Sequence, residues 1–236
     1  MDILNGRIRP IYLRYLAATS GSAMIASVFG MVDAMMVGQY HGPSGSAALA
    51  VFSPLWSIIF SLGLLAGIGG SVLFANSRGN GNEDDAQQYF TLSVIYGAAL
   101  SVLAVAGIGL FNEPLLRLFG ADDELLVLAK LYLKPVLFAV SFCVFSNILA
   151  ACLRNDRNPA LATWAVIVGG VFNCVGDYVC VFVLDMGILG AGLATSAGQI
   201  LIALIMLLHF FRRDNTLRLV RPTGALRRIE IGRAHV

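Results

Sequence analysis

The sequence predicts an all-α integral membrane protein, a bundle of six transmembrane helices, on three observations. Hydrophobic residues make up 58% of its 236 residues and charged residues only 13%, whereas soluble globular proteins carry roughly 25% charged residues. Mean hydropathy is +0.79. The apolar residues also fall into six long runs, and a spanning helix needs about 20 mostly apolar residues. A formal net charge of +2 gives no ground for nucleic-acid binding, so the lipid bilayer is the expected partner.

The runs are Ile11 to Gly38, Ala47 to Asn76, Gln88 to Phe111, Leu125 to Leu153, Ala160 to Leu184, and Ile188 to Phe211. The first follows Arg7 and Arg9, as in a signal peptide, but it runs on too long and further apolar segments succeed it. It reads as a spanning helix. In the second, Ser53, Ser57 and Ser61 share one face beside Pro54, a stripe that either lines a cavity or bonds back to its own backbone. Gly63 and Gly67 there, like Gly190, Ala194 and Gly198 in the sixth, are small residues at helical spacing that let backbones approach in lipid. Gly67-Ile68-Gly69-Gly70 is not a nucleotide loop, because no strand precedes it.

Pro43, Pro114 and Pro159 are each expected in a connection, where a missing backbone donor does no harm. Lys130 and Lys134 open the fourth helix and are expected to snorkel to the headgroups. Cys143, Cys152, Cys174 and Cys180 lie in apolar runs without metal-site or redox spacing and read as small buried hydrophobes. His41, His209 and His235 are expected at the surface. The acids Glu83, Asp84 and Asp85, and Asp122, Asp123 and Glu124, flank helices and are expected to cap them or face water.

Lys and Arg are enriched on the cytoplasmic side of membrane proteins. Arg7, Arg9 and Arg14 precede helix 1, Arg78 lies between helices 2 and 3, and Arg154 and Arg157 lie between 4 and 5. After helix 6 come Arg212, Arg213, Arg218, Arg221, Arg227 and Arg228, while the loops after helices 1, 3 and 5 hold only Arg117. A multi-pass protein of the inner membrane with both termini in the cytoplasm is expected.

Ionisable residues in hydrocarbon are costly and point to function. Asp33 in helix 1 and Asp177 in helix 5 stand about 19 and about 17 positions from the starts of helices running the same way, a rise of about 28 Å and about 26 Å. Both carboxylates therefore fall in the outer half at one depth. Asn173 is one turn before Asp177, and Thr195 and Gln199 lie about seven and about eleven positions from the outer end of helix 6. A shared polar pocket is expected, the competing reading being two carboxylates solvated at the membrane edge.

Several stretches, in this order and spacing, resemble the multidrug and toxic compound extrusion (MATE) family. They are Val32-Asp33-Ala34-Met35-Met36-Val37-Gly38, Gly67-Ile68-Gly69-Gly70-Ser71 followed by Gly79-Asn80-Gly81, and Leu153-Arg154-Asn155-Asp156 with Pro159. Asn173-Cys174-Val175-Gly176-Asp177-Tyr178 and Gly187-Ile188-Leu189-Gly190-Ala191-Gly192-Leu193-Ala194-Thr195 complete them. The resemblance covers residues 10 to 211 and implies one lobe of a V-shaped, twelve-helix antiporter exporting amphipathic, often cationic small molecules against proton or sodium entry.

It also implies a cation site at Asp33, Asn173, Asp177 and Thr195, joined by Tyr132 from helix 4, with Ser53, Ser57 and Gln199 as possible cavity lining. No cofactor beyond the coupling ion is implied, nor a metal other than sodium at Asp33 and Asp177. Helices seven to twelve of the family pattern, its carboxy-terminal lobe, are missing. A related flippase for lipid-linked sugars would share such a half; a membrane-embedded enzyme would need a metal or nucleophile motif that the sequence lacks.

Three segments are expected: a transmembrane lobe over 1–211, a basic cytoplasmic segment over 212–230 leading toward a second lobe, and a non-native tail over 231–236. Ile231-Gly232-Arg233-Ala234-His235-Val236 is what one reading frame of a common sequencing adapter encodes.

Overall fold

The computed structural model describes residues 13, 27–156, 158–212 and 215–221. The expected start of helix 1 with Arg7, Arg9 and Arg14, and the tail with His235, lie outside the described residues. Helix α1 covers residues 27–41. It is followed by α2 (Pro43–Gly79), α3 (Glu83–Leu118), α4 (Asp123–Asn155), α5 (Pro159–Asp177) and α6 (Gly187–Leu207). Helix α5 continues as a π-helical stretch, Tyr178–Val183, and α6 ends in a 3-10 turn, Leu208–Phe211. No strand occurs among the described residues, and the five helices α2 to α6 are each long and apolar enough to cross a membrane.

Helices begin earlier than the apolar runs do, because hydropathy does not register polar residues in a first turn. Helix α2 starts at Pro43, whose absent N–H is one that a first turn leaves unused anyway. Helix α3 starts at Glu83 after Asn82, whose side chain accepts from the Asp85 amide at 3.3 Å. Asp122 caps α4 in the same way, accepting from the Leu125 amide at 2.8 Å.

Pro114 lies inside α3 and not in a connection. The helix breaks at Phe111 (φ −113°, ψ 25°) and resumes, so the proline sits in the first turn of the resumed piece. Proline at 54 frees the Ala50 carbonyl, and the Ser53 hydroxyl donates to that oxygen at 3.0 Å. In lipid such a group must find a partner within the protein.

Helix α4 is the axis of the bundle: 67% of its most apolar stretch is buried, against 17% for α3. Its Tyr132, Val136, Val140 and Cys143 pack with Phe52, Leu55 and Ile59 of α2 and with Ile188 and Ala191 of α6. The close approach of α2 depends on glycine: a β-carbon at Gly67 would lie 2.8 Å from the Asn147 carbonyl oxygen and 3.0 Å from Ile148 Cα. Large aliphatic side chains such as Leu65, Leu103 and Leu110 stay exposed on the outside, as a lipid-facing surface requires. Of the cysteines, Cys143 and Cys152 are buried as expected, but Cys174 and Cys180 are only half-buried.

The two remaining histidines are not idle surface residues. His41 Nε2 accepts from the Ile188 amide at 3.0 Å, satisfying a donor at the start of α6. Beside it the Tyr40 hydroxyl donates to Asp185 Oδ1 at 2.5 Å, so Asp185, at φ 54°, is a bound corner and not a free loop acid. At the opposite end His209 is fully buried against Asp156. Two residues expected to face solvent thus fix the ends of helices. Lys130 pairs with Glu113 at 2.7 Å and Arg117 with Glu113 and Asp123, which keeps the α3–α4 corner together.

Candidate cation site

Four helices bring five polar side chains to one place. Asp33 comes from α1, Tyr132 from α4, Asn173 and Asp177 from successive turns of α5, and Thr195 from α6. Glycines set the approach: a β-carbon at Gly192 would meet the Tyr132 carbonyl oxygen at 2.7 Å, and one at Gly198 would meet Asn173 Cβ at 3.1 Å. Helix α6 therefore lies close enough to α4 and α5 for Thr195 to touch side chains from both.

The Tyr132 hydroxyl donates to Asp33 Oδ2 at 2.9 Å and stands 3.2 Å from Thr195 Oγ1. Asn173 Nδ2 donates to Asp177 Oδ1 and to Thr195 Oγ1, each at 3.3 Å. With the tyrosine proton committed to Asp33, Thr195 donates to Tyr132 and accepts from Asn173. Each donor hydrogen of the tyrosine, threonine and amide is then used. Two carboxylate oxygens receive none: Asp33 Oδ1 and Asp177 Oδ2 are buried with no hydrogen-bond partner. Asp33 is 8% exposed and Asp177 0%, so neither carboxylate faces bulk solvent. The solvated-edge reading is excluded for these two residues.

Buried polar atoms almost always have partners, and unpaired carboxylate oxygens are among the costliest exceptions. Two of them in one pocket ask for a positive particle. A proton would convert either oxygen into a donor, and sodium, a hard cation, takes oxygen ligands of the kind that both carboxylates, Thr195 and Tyr132 present. Among the described residues no group of three or more His, Cys, Asp or Glu could hold a metal ion.

Ser53, Ser57 and Gln199, expected as possible cavity lining, are not among the five clustered side chains. Ser53 and Ser57 are exposed on α2, and Ser57 donates to the Ser53 carbonyl at 3.0 Å. Gln199, one turn beyond Thr195, is half-buried and makes no hydrogen bond to the cluster.

A second polar cluster, at the other end of the bundle, was not legible in the sequence. Asp156 is 4% exposed and accepts from Arg78 Nη1 at 3.1 Å, from His209 Nε2 at 2.7 Å, and from the backbone amide (3.1 Å) and hydroxyl of Thr216. Burial pushes its carboxyl up, but these donors outweigh it and hold it below the ordinary aspartate value. The only hint was an aspartate directly after an Arg-Asn pair, and nothing in that pattern distinguishes a buried anchor from a loop acid.

Residues 19–179 match the family model described as MatE. The chain belongs to the MatE family. It is 23% identical over 205 residues to the multidrug export protein MepA of Staphylococcus saprophyticus subsp. saprophyticus, covering 85% of this chain and 46% of MepA. MepA of Staphylococcus aureus (strain MRSA252) is 21% identical over 203 residues, covering 84% and 45%. The chain thus spans about half the length of the curated relatives it matches.

Its fold is that of solved MatE-family transporters. A crystal structure of MATE in the bent conformation gives a TM-score of 0.80 at 24% identity, covering 87% of this chain and 47% of that one. The outward-facing conformation of a multidrug resistance MATE family transporter of the MOP superfamily gives 0.78 at 25% identity, covering 88% and 47%. The inward-facing conformation of such a transporter also gives 0.78, at 24% identity, covering 85% and 47%. The match at half length is that of one six-helix lobe.

Proposed function

We propose that this chain is the amino-terminal lobe of a multidrug exporter that couples export of amphipathic, often cationic compounds to entry of a proton or sodium ion, and that Asp33 and Asp177 hold that ion with Tyr132, Asn173 and Thr195. The observation that carries the reading is the pair of buried carboxylate oxygens left without donors after every donor in the cluster is spent. Membership of the MatE family and the multidrug export named for its relatives support the exporter half of it.

Two like charges in a poorly solvated pocket repel, and a cation removes the repulsion while adding contacts of its own. If this site and a drug cavity share one conformational equilibrium, the ion and the drug must each alter the other's affinity. Similar likeness of the lobe to inward- and outward-facing relatives supports alternating access by one lobe moving against another. The pairing of Arg78 and His209 with Asp156 at the end of α6, and the exposed Arg154 two residues before Asp156, fit an inner-membrane topology with that end in the cytoplasm.

The test is cation binding to the purified chain in detergent. A ligand of the native state raises stability by mass action, so sodium at about pH 8, or acid in its absence, should raise the unfolding midpoint. Asp33→Asn and Asp177→Asn should each abolish that response while the chain still folds. Retention of the full response by both variants would sink the assignment.

A further inference from the structure

Beyond the last turn of α6, residues 215–221 run extended across the ends of α2, α3 and α4, and alternate amides of that segment are met by side chains. The Thr216 amide donates to Asp156 Oδ2 at 3.1 Å, the Arg218 amide to Gln87 Oε1 at 2.7 Å, and the Val220 amide to Thr91 Oγ1 at 3.0 Å. Gln87 Nε2 returns a bond to the Thr216 carbonyl at 2.8 Å. The spacing of two residues is that of a β-strand, in which every second residue faces the same neighbour. Gln87 and Thr91 are one helical turn apart, so α3 and the cap of α4 offer a row of side-chain acceptors where a sheet would offer a neighbouring strand.

All three receptor residues are buried, at 9% exposure for Gln87, 6% for Thr91 and 4% for Asp156. Between them Leu217, 1% exposed, fits among Phe74, Ala86, Phe90 and Cys152, while Leu219, two residues on, is exposed. Asp156 is itself held: Arg78 balances its charge, and His209 Nε2 donates to it while Nδ1 faces Asn158 Nδ2 at 3.2 Å. A neutral imidazole with its proton on Nε2 satisfies both contacts.

We propose that Gln87, Thr91 and Asp156 form a docking site for an extended peptide whose occupant is the chain's own segment Asn215–Arg221, so that this segment moves with the lobe and is not a flexible joint between lobes. That the lobe moves against a second one rests on the function proposed above; the docking does not. A joint needs backbone free to change its dihedral angles, and three amides tied to buried side chains plus a buried leucine deny that freedom here. Lobe motion is then carried by the docked segment as far as Arg221.

Trypsin reports the docking directly, because the Arg218–Leu219 bond must leave its partners to enter the protease. The 236-residue chain in detergent should be cut there at least tenfold more slowly than a free peptide of residues 212–221. Thr91→Val removes one acceptor and no charge, and Asp156→Asn weakens the anchor; each should speed cleavage at least tenfold, while Glu113→Gln at the opposite end leaves it unchanged. A cooperative unfolding transition by helical circular dichroism in Thr91→Val shows that the variant is folded, whatever the outcome of the cation assignment. Wild-type cleavage as fast as the free peptide, or a folded Thr91→Val chain cut no faster than wild type, would overturn the docking.

Discussion

Replacing Tyr132 with Phe removes one oxygen from the candidate site and little else. The ring stays packed edge-on against Phe52, with centroids 4.9 Å apart, so no cavity opens. The lost group is the donor to Asp33 Oδ2, and because Asp33 Oδ1 already has none, the variant leaves a carboxylate of 8% exposure without any donor. A hydrogen bond to a charged group contributes about 1.5–3 kcal/mol, which is a factor of about 10 to about 100 in the folding equilibrium. The full loss is expected while Asp33 carries its charge, in choline chloride at about pH 8, and it should shrink when sodium or acid supplies the missing positive partner. The assay is reversible unfolding in mixed detergent micelles followed by helical circular dichroism. A variant within about 0.5 kcal/mol of wild type in choline would show that the hydroxyl does not stabilise a charged carboxylate. An identical deficit with and without cation would show that no ion binds beside Asp33.

Gly67→Ala should destabilise the bundle by about 1–3 kcal/mol, because the new methyl group meets the backbone of Asn147 and Ile148, whereas Gly69→Ala, with open space at its β-carbon, should gain up to about 1 kcal/mol from helix propensity; equal unfolding midpoints for the pair would refute the glycine-mediated contact of α2 with α4. The strap should stay docked from about pH 8 to about pH 5 and loosen only in stronger acid: the Asp156 carboxyl is held below its ordinary value when folded, so its contribution is complete above that value and lost as pH falls through the depressed one. Amide exchange at Thr216 and Val220 measures this, and release between about pH 7 and about pH 5 would mean that another group controls the docking.

The six apolar runs were legible because the thickness of a bilayer sets a minimum length that few other structures require. Their ends were not, since Glu83, Asp84 and Asp85 look like loop residues until Asn82 is seen to cap them. Asp33, Asn173, Asp177 and Thr195 could be set at one depth because an α-helix rises by a fixed amount per residue. Tyr132 came only from the family resemblance; nothing local marks it among the seven tyrosines of the chain. Gln199 had a suitable depth but makes no hydrogen bond to the cluster, because depth along a helix does not say which neighbour a side chain meets. Asp156, Arg78 and His209 were invisible for a related reason. Their partners are 78 and 53 residues away in sequence, and each sits where loop charges ordinarily meet water.

Helix α4 links the two polar devices. It carries Tyr132 near one end and is capped by Asp156 at the other, about 24 residues and so about 36 Å apart. It is also the helix with the least freedom, buried along most of its length and pressed at backbone distance by Gly63 and Gly67 of α2 and Gly192 of α6. Close-packed interfaces of that kind do not deform by small continuous amounts. Helix α5 packs on α6 instead, where a β-carbon at Gly198 would lie 3.1 Å from the Gly169 carbonyl oxygen. The α5 backbone leaves α-helical geometry at Tyr178, the residue after Asp177, and stays π-helical through Val183, the sort of local loosening that recurs at functional sites. On the function proposed above, a cation between Asp33 and Asp177 would act where the α5 backbone departs from α-helical geometry. On that reading the expected response is a change at the α1–α5 contact, while α4, packed on α2 at backbone distance and capped by Asp156, stays with the docked segment Asn215–Arg221 as the frame.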